Sequence, residues 1–179
     1  QRVKAILLQP RAEWPVIETE TTSIASLYKS YILPLAAIGP VAGFIHAVVF
    51  GNSFFGITHR PSFMSALSTA VVSYIFTLIG VFLMALVIDF LAPRFGGTAN
   101  RNNAFKLAAY SATAAWVAGA FQLIPGLGML AILGLYGLYL LFVGIPVMMK
   151  APEDKALIYT GAILAVGFVA GIIFSVILA

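Results

Sequence analysis

Ala104–Leu123 (AFKLAAYSATAAWVAGAFQL) and Met129–Met148 (MLAILGLYGLYLLFVGIPVM) are two apolar runs joined by the uncharged turn Ile124-Pro125-Gly126-Leu127-Gly128. Each has about the length that crosses a bilayer as a helix, roughly 20 residues. A short clasp, Lys150-Ala151-Pro152-Glu153-Asp154-Lys155-Ala156, leads into a further apolar run that continues to Ala179. Pro152 suits the first turn of a helix, and Glu153 and Asp154 complement the positive end of its dipole. A greasy rod, a neutral turn, a second rod and a charged clasp make a membrane hairpin and the start of another span.

Composition agrees. Of 179 residues, 61% are hydrophobic and only 9% are charged, with a mean hydropathy of +1.03. A soluble domain carries roughly 25% charged residues, so hydrocarbon is the expected solvent. The net charge of +4 does not make a nucleic-acid surface, because the cations sit in connectors between apolar runs, a placement that suits anionic headgroups. The absence of cysteine excludes disulfides, thiolate catalysis and thiolate-held metals.

Working outward, residues 1–26 form the polar part of the chain. Val3, Ile6 and Leu7 fall at helical spacing, which predicts a short interfacial helix. Pro15 is expected at the first position of a second one, with Glu18 and Glu20 following and Trp14 in the headgroup layer. Thr21 and Thr22 offer a cap for the next helix. A first span runs from Leu27 or Tyr31 to Phe50, with kinks expected at Pro34 and Pro40. Its Gly39 and Gly43 let another helix approach closely. The loop Gly51–Pro61 follows, carrying Phe54, Phe55, His59 and Arg60.

A second span covers Phe63–Leu91, long enough to tilt or project. It carries a hydroxyl streak of Ser65, Ser68, Thr69, Ser73 and Thr77, which favours packing on neighbours over lipid. The linker Phe95–Asn103 separates it from the alanine-rich third span, whose small side chains predict a central, close-packed position. The expected fold is therefore an all-α integral membrane bundle: interfacial helices over residues 1–26, then five transmembrane helices over 27–179.

Charge sets the orientation. Arg2, Lys4, Arg11, Lys29, Arg94, Arg101, Lys106, Lys150 and Lys155 fall on one side of such a bundle, and Arg60 alone on the other. The positive-inside rule then places the N-terminus in the cytoplasm and the C-terminus across the membrane.

Three groups of residues extend this reading. They are Pro10-x-x-Glu13-Trp14-Pro15-x-Ile17-x-x-Glu20 leading to Tyr31-Ile32-Leu33-Pro34-Leu35; Tyr110-Ser111 followed by Leu123-Ile124-Pro125-Gly126-Leu127-Gly128; and Gly144-Ile145-Pro146 with Met149-Lys150-x-Pro152-x-x-Lys155-Ala156-x-x-Tyr159-Thr160. Together they resemble the Yip domain family (Ypt/Rab-interacting proteins), in particular its short bacterial members. The resemblance implies a five-span protein with a cytoplasmic N-terminus, here in a bacterial inner membrane. Eukaryotic Yip relatives act in vesicle traffic between the endoplasmic reticulum and Golgi and bind Rab-type GTPases. They carry a long cytosolic N-terminal region that this sequence does not show, so what carries over is architecture.

Candidate chemistry is sparse. His46 inside the first span is either a proton- or ligand-handling group or a neutral imidazole bonded to a neighbouring helix. No metal site is expected, since His59 is the only other histidine and no carboxylate lies at helical spacing from His46. Asp89 is the lone acid within an apolar run and reads as an interfacial carboxylate, with Arg94 able to fold back onto it beyond Pro93. The turn at Pro125–Gly126 is either re-entrant or a tight hairpin. No catalytic triad, phosphate loop, zinc-protease motif or dinucleotide fingerprint is present, so neither enzyme activity nor a cofactor is expected.

Two functions follow as expectations. One is a non-enzymatic protein that organises membrane lipid or recruits a protein partner through its cytoplasmic face, using Glu13, Trp14, Pro15, Arg94, Arg101, Lys150 and Lys155. The other is a small-solute or ion transporter or channel component built around His46 and Asp89, completed as a homo-oligomer through glycine faces.

Overall fold

The computed structural model describes residues 1–54 and 57–177. Helices α1 (Arg2–Leu8) and α2 (Pro10–Thr19) open the chain. Pro10, rather than Pro15, takes the first turn of α2, where its missing amide costs nothing. Pro15 lies inside the helix with its ring exposed, while Trp14 and Ile17 turn inward and are fully buried.

The first long run, Ile24–Val49, is broken where its prolines remove backbone donors. Between α3 (Ile24–Leu27) and α4 (Leu33–Ala36), residues Tyr28–Ile32 form a π turn in which the Leu33 amide reaches back to the Tyr28 carbonyl. Pro34 cannot supply the next amide, and the widened turn absorbs that loss. A second break at Ala37 precedes α5 (Ile38–Val49), four residues after the first proline's turn begins to recover and just ahead of Pro40. Part of the expected loop is a small antiparallel hairpin, β1 (Asn52–Phe54) with β2 (Ile57–His59), Ser53 opposite Thr58. Phe55 lies outside the described residues.

Helix α6 (Phe63–Leu91) has the boundaries its apolar pattern predicts and passes into a 3-10 turn, Ala92–Phe95, ended by Gly96 at φ +79°. Helix α7 starts at Arg101, earlier than expected, because Asn100 caps it: the Asn103 amide donates to Asn100 Oδ1 at 3.1 Å. It ends at Ala118, and the residues on either side of the turn, Gly119–Leu123 and Gly128–Leu135, are 3-10. The turn itself is tight, with Leu127 N–H donating to the Ile124 carbonyl at 3.1 Å and Gly126 at φ +84°. Helices α8 (Tyr136–Met149) and α9 (Glu153–Ile177) complete the chain.

Among the described residues, three helical runs are long and apolar enough to cross a membrane: Ile24–Val49, Phe63–Phe95 and Gly128–Met149. In the most apolar window of each, no more than 22% of the residues are buried by protein. Phe63, Met64, Val72, Ile75 and Phe90 of α6 all remain exposed. That much uncovered apolar surface is stable only against lipid.

The chain divides into two compact units. The first gathers Gln1–Ile24, Val81–Ser111 and Leu138–Ala179; the second gathers Ala25–Gly80 and Ala112–Gly137. The core of the first is the start of α7, where every residue from Asn103 to Ser111 is buried, Ala104, Leu107, Ala108 and Ala109 completely. In the second, Gly119 meets the backbone of Gly39, and a Cβ added at Gly119 would lie 2.9 Å from Gly39 Cα. This is the close approach that the small residues of α5 anticipate.

Candidate functional site

The polar surface of the first unit is assembled around the inward face of α2. Trp14 enters a socket formed by α7 and α8, its ring edge-on to Tyr110 at 6.4 Å between centroids. The socket exists because Gly144 has no side chain: a Cβ there would sit 2.6 Å from Leu107 Cδ1 and 2.6 Å from Trp14 Cε2. The ring expected in the headgroup layer is therefore a core residue, and Glu13 beside it is engaged in an ion pair.

That pair belongs to Arg2, whose guanidinium donates to both Glu13 and Glu20. Burial alone disfavours the Arg2 charge, but the carboxylates of Glu20 and Glu13 outweigh it and hold the guanidinium above its ordinary range. The side chains remain partly exposed, so the clamp contributes at most about 1 kcal/mol and weakens with salt. Lys150 adds a 3.0 Å pair to Glu18 of α2.

Lys106 is the functional group that sequence reading assigned to the wrong setting. Counted there among connector cations, it is 2% exposed, and its ammonium donates to the Ile17 carbonyl at 2.9 Å and to the Glu20 carbonyl. A cation reaching from α7 thus satisfies carbonyls at the C-terminal end of α2, where the helix dipole is negative. The one available signal was its position in an otherwise apolar stretch, Ala104-Phe105-Lys106-Leu107-Ala108.

The two connectors of this unit interlock. Thr98 N–H donates to the Met149 carbonyl at 2.7 Å, and Asn103 Nδ2 donates to the Met148 carbonyl at 3.1 Å. Gly97 permits this, since a Cβ there would lie 2.7 Å from Met149 O. Lys150, at φ +53°, turns the chain out of α8. Tyr159 pins the clasp helix to α6 by donating to the Ile88 carbonyl and stacking on Phe95, with centroids 4.9 Å apart.

What remains outward is mixed in charge, with the acids Glu153 and Asp154 exposed beside the cations. Arg94, Arg101, Lys150 and Lys155 are all exposed. Lys155 Nζ lies 3.6 Å from where a Gly96 Cβ would stand, so its charge sits directly over the Gly96 turn. Arg94 does not fold back on Asp89; its guanidinium rests on the Phe90 ring, 4.2 Å from the centroid. Asp89 Oδ1 is buried without a hydrogen-bond partner.

The second unit holds a different feature. A groove of about 710 Å³ is lined by Gly43, Ser65, Thr69, Ser73, Thr77 and Gln122 among others. Gly43 and Gln122 also line an adjoining cavity of about 420 Å³ that includes His46 and the Gly126–Gly128 turn. His46 rests against Phe50, centroids 5.6 Å apart, and its Nδ1 is buried with no hydrogen-bond partner. His46 and Asp89 belong to different units.

Uncovered apolar helices bearing polar connectors define a multi-span helical membrane protein. The comparison with known proteins is specific about which: the Yip1 domain matches residues 4–174, and the chain belongs to that family. It is similar to the inner membrane protein YohC of Escherichia coli K12, and equally to that of Escherichia coli O6:H1, 29% identical in each case over 170 residues, which cover 92% of this chain and 87% of the relative. No solved structure matches the chain significantly.

Proposed function

We propose that this Yip-family protein is a five-span inner-membrane protein whose cytoplasmic face binds anionic lipid headgroups and, through them or beside them, a protein partner. The carrying observation is the segregation of charge: every lysine and arginine except Lys29 and Arg60 belongs to the first unit. Within it, Arg2 and Lys106 are consumed in holding α2 and Lys150 also pairs with Glu18, while Lys4, Arg11, Arg94, Arg101, Lys150 and Lys155 are all exposed. Arg94, Arg101, Lys150 and Lys155 are the ones we assign to the headgroups. Glu13 and Trp14 serve this face by fixing α2, and Pro15 is exposed beside them.

The two spans beyond the three long apolar runs are α7 with its 3-10 continuation to Leu123, third in chain order, and α9, fifth. At 1.5 Å per residue, the 25 residues of α9 reach across a hydrocarbon core of roughly 30 Å. An odd number of spans puts the two ends on opposite sides, and the cationic connectors keep the N-terminus inside. A reporter enzyme active only in the periplasm, fused after Ala179, is expected to be active; activity from an N-terminal fusion instead would reverse the assignment.

Headgroup binding is tested by charge reversal. Each cation near an anionic surface is worth about 1 kcal/mol. Lys150→Glu with Lys155→Glu is therefore expected to reduce co-purifying anionic lipid by tenfold or more, with the zwitterionic lipid unchanged and the protein still inserted. Equal retention of anionic lipid by the variant rejects the reading.

A second reading, a conduit for small solutes, is favoured by one observation: the hydroxyl-lined groove that adjoins His46.

A further inference from the structure

We propose that the groove of the second unit is hydrated and holds a small uncharged solute rich in hydrogen-bond donors, of the urea or simple-amide kind. This rests on the conduit reading and gives it a substrate class.

Ser65, Thr69, Ser73 and Thr77 are spaced four apart on α6, so they form one stripe, and all four line the groove. Its volume of about 710 Å³ is within the usual range of small-molecule sites. The hydroxyls are not neutral in their preference. Thr69 Oγ1 donates to the Ser65 carbonyl and Thr77 Oγ1 to the Ser73 carbonyl, each at 2.9 Å. With their protons spent on their own helix, the Thr69 and Thr77 oxygens face the groove as acceptors.

Gln122 and Gly43 line both the groove and the adjoining cavity and face each other closely, a Cβ added at Gly43 falling 3.5 Å from Gln122 Oε1. Beyond it the His46 Nδ1 is buried and unpaired. A buried polar atom left without a partner is costly, and water or a solute amide removes that cost. No lysine, arginine, aspartate or glutamate is among the described residues lining either cavity. A formal ion would enter uncompensated, whereas a donor-rich neutral molecule meets the Thr69 and Thr77 acceptors.

These 179 residues contain no cysteine, so single cysteines introduced into them report without background. The substitutions Ser65→Cys, Thr69→Cys, Ser73→Cys and Thr77→Cys in reconstituted vesicles, exposed on both sides to a small uncharged, water-soluble thiol reagent, are expected to react at least tenfold faster than Val72→Cys, Ile75→Cys and Ile79→Cys. Urea permeation, followed by stopped-flow vesicle reswelling, is expected to exceed that of protein-free vesicles and to fall at least fivefold in Gln122→Leu, a variant whose folding is checked by unchanged labelling at Ser65. Fast labelling with urea permeation at the protein-free rate overturns the solute assignment alone. Labelling at the stripe as slow as at Val72 overturns the hydrated groove and the conduit reading with it.

Discussion

Trp14→Ala will destabilise the first unit by about 3–5 kcal/mol, the cost of emptying a large buried aromatic site. Trp14 is fully buried and is held between Tyr110, Leu107 and the bare backbone of Gly144. Its indole Nε1 is buried without an acceptor. Trp14→Phe should therefore lose less than the volume change alone suggests, because it also removes an unpaired donor. Gly144→Ala attacks the same socket from the opposite wall. Its methyl would need the space already held by Leu107 Cδ1 and two Trp14 ring carbons, all within 2.8 Å, and overpacking of that kind costs about 1–3 kcal/mol. The two changes share one cavity, so they cannot add. The double variant Trp14→Ala with Gly144→Ala is expected to be more stable than the sum of its parents by at least 1 kcal/mol, measured by denaturant unfolding in a mild detergent. Strict additivity would show that Trp14 and Gly144 do not meet.

The apolar elements were legible in the sequence because lipid leaves periodicity no role: a span is a length of apolar residues, and Phe63–Leu91 could be delimited to the residue. Asn100 and Pro10 show where local rules were available but applied one element too late. Glu18 and Glu20 make Pro15 look like a helix start, yet Pro10 stands ahead with the same freedom from an amide and takes the first turn. The site was less legible, for a physical reason. A lysine or arginine in a connector has the same sequence signature whether it faces headgroups or reaches across to a carbonyl. Arg94 illustrates this: Asp89 is its nearest opposite charge along the chain, but the Phe90 ring is what the guanidinium covers. Gly144 could be seen as a small residue, but not as the wall of a tryptophan socket, because its partner lies more than a hundred positions away in the chain.

Lys106→Met separates two jobs that one positive charge can perform. As a topology determinant, Lys106 would act only on which side its connector occupies, and its loss would change orientation without touching stability. As the group that closes α2, it binds the Ile17 and Glu20 carbonyls from a side chain 2% exposed. Methionine keeps the packing of the stem and removes the ammonium, leaving those carbonyls short of a donor. Hydrogen bonds to a charged group are worth about 1.5–3 kcal/mol each, and the desolvation that the buried ammonium suffers offsets part of that sum, so a net loss of about 3 kcal/mol is expected. The loss should be local. The Arg2 clamp and the Glu18 pair to Lys150 are partly exposed and cannot hold α2 by themselves, so the Thr21–Ser23 segment should become accessible to protease well before α6 and α7 unfold. Lys106→Arg keeps the charge but brings a wider, planar head into a fully occupied site, and should fall between the two. A Lys106→Met protein with wild-type protease resistance at Thr21–Ser23 and a reversed C-terminal reporter would assign the residue to topology and remove it from the architecture of the cytoplasmic face.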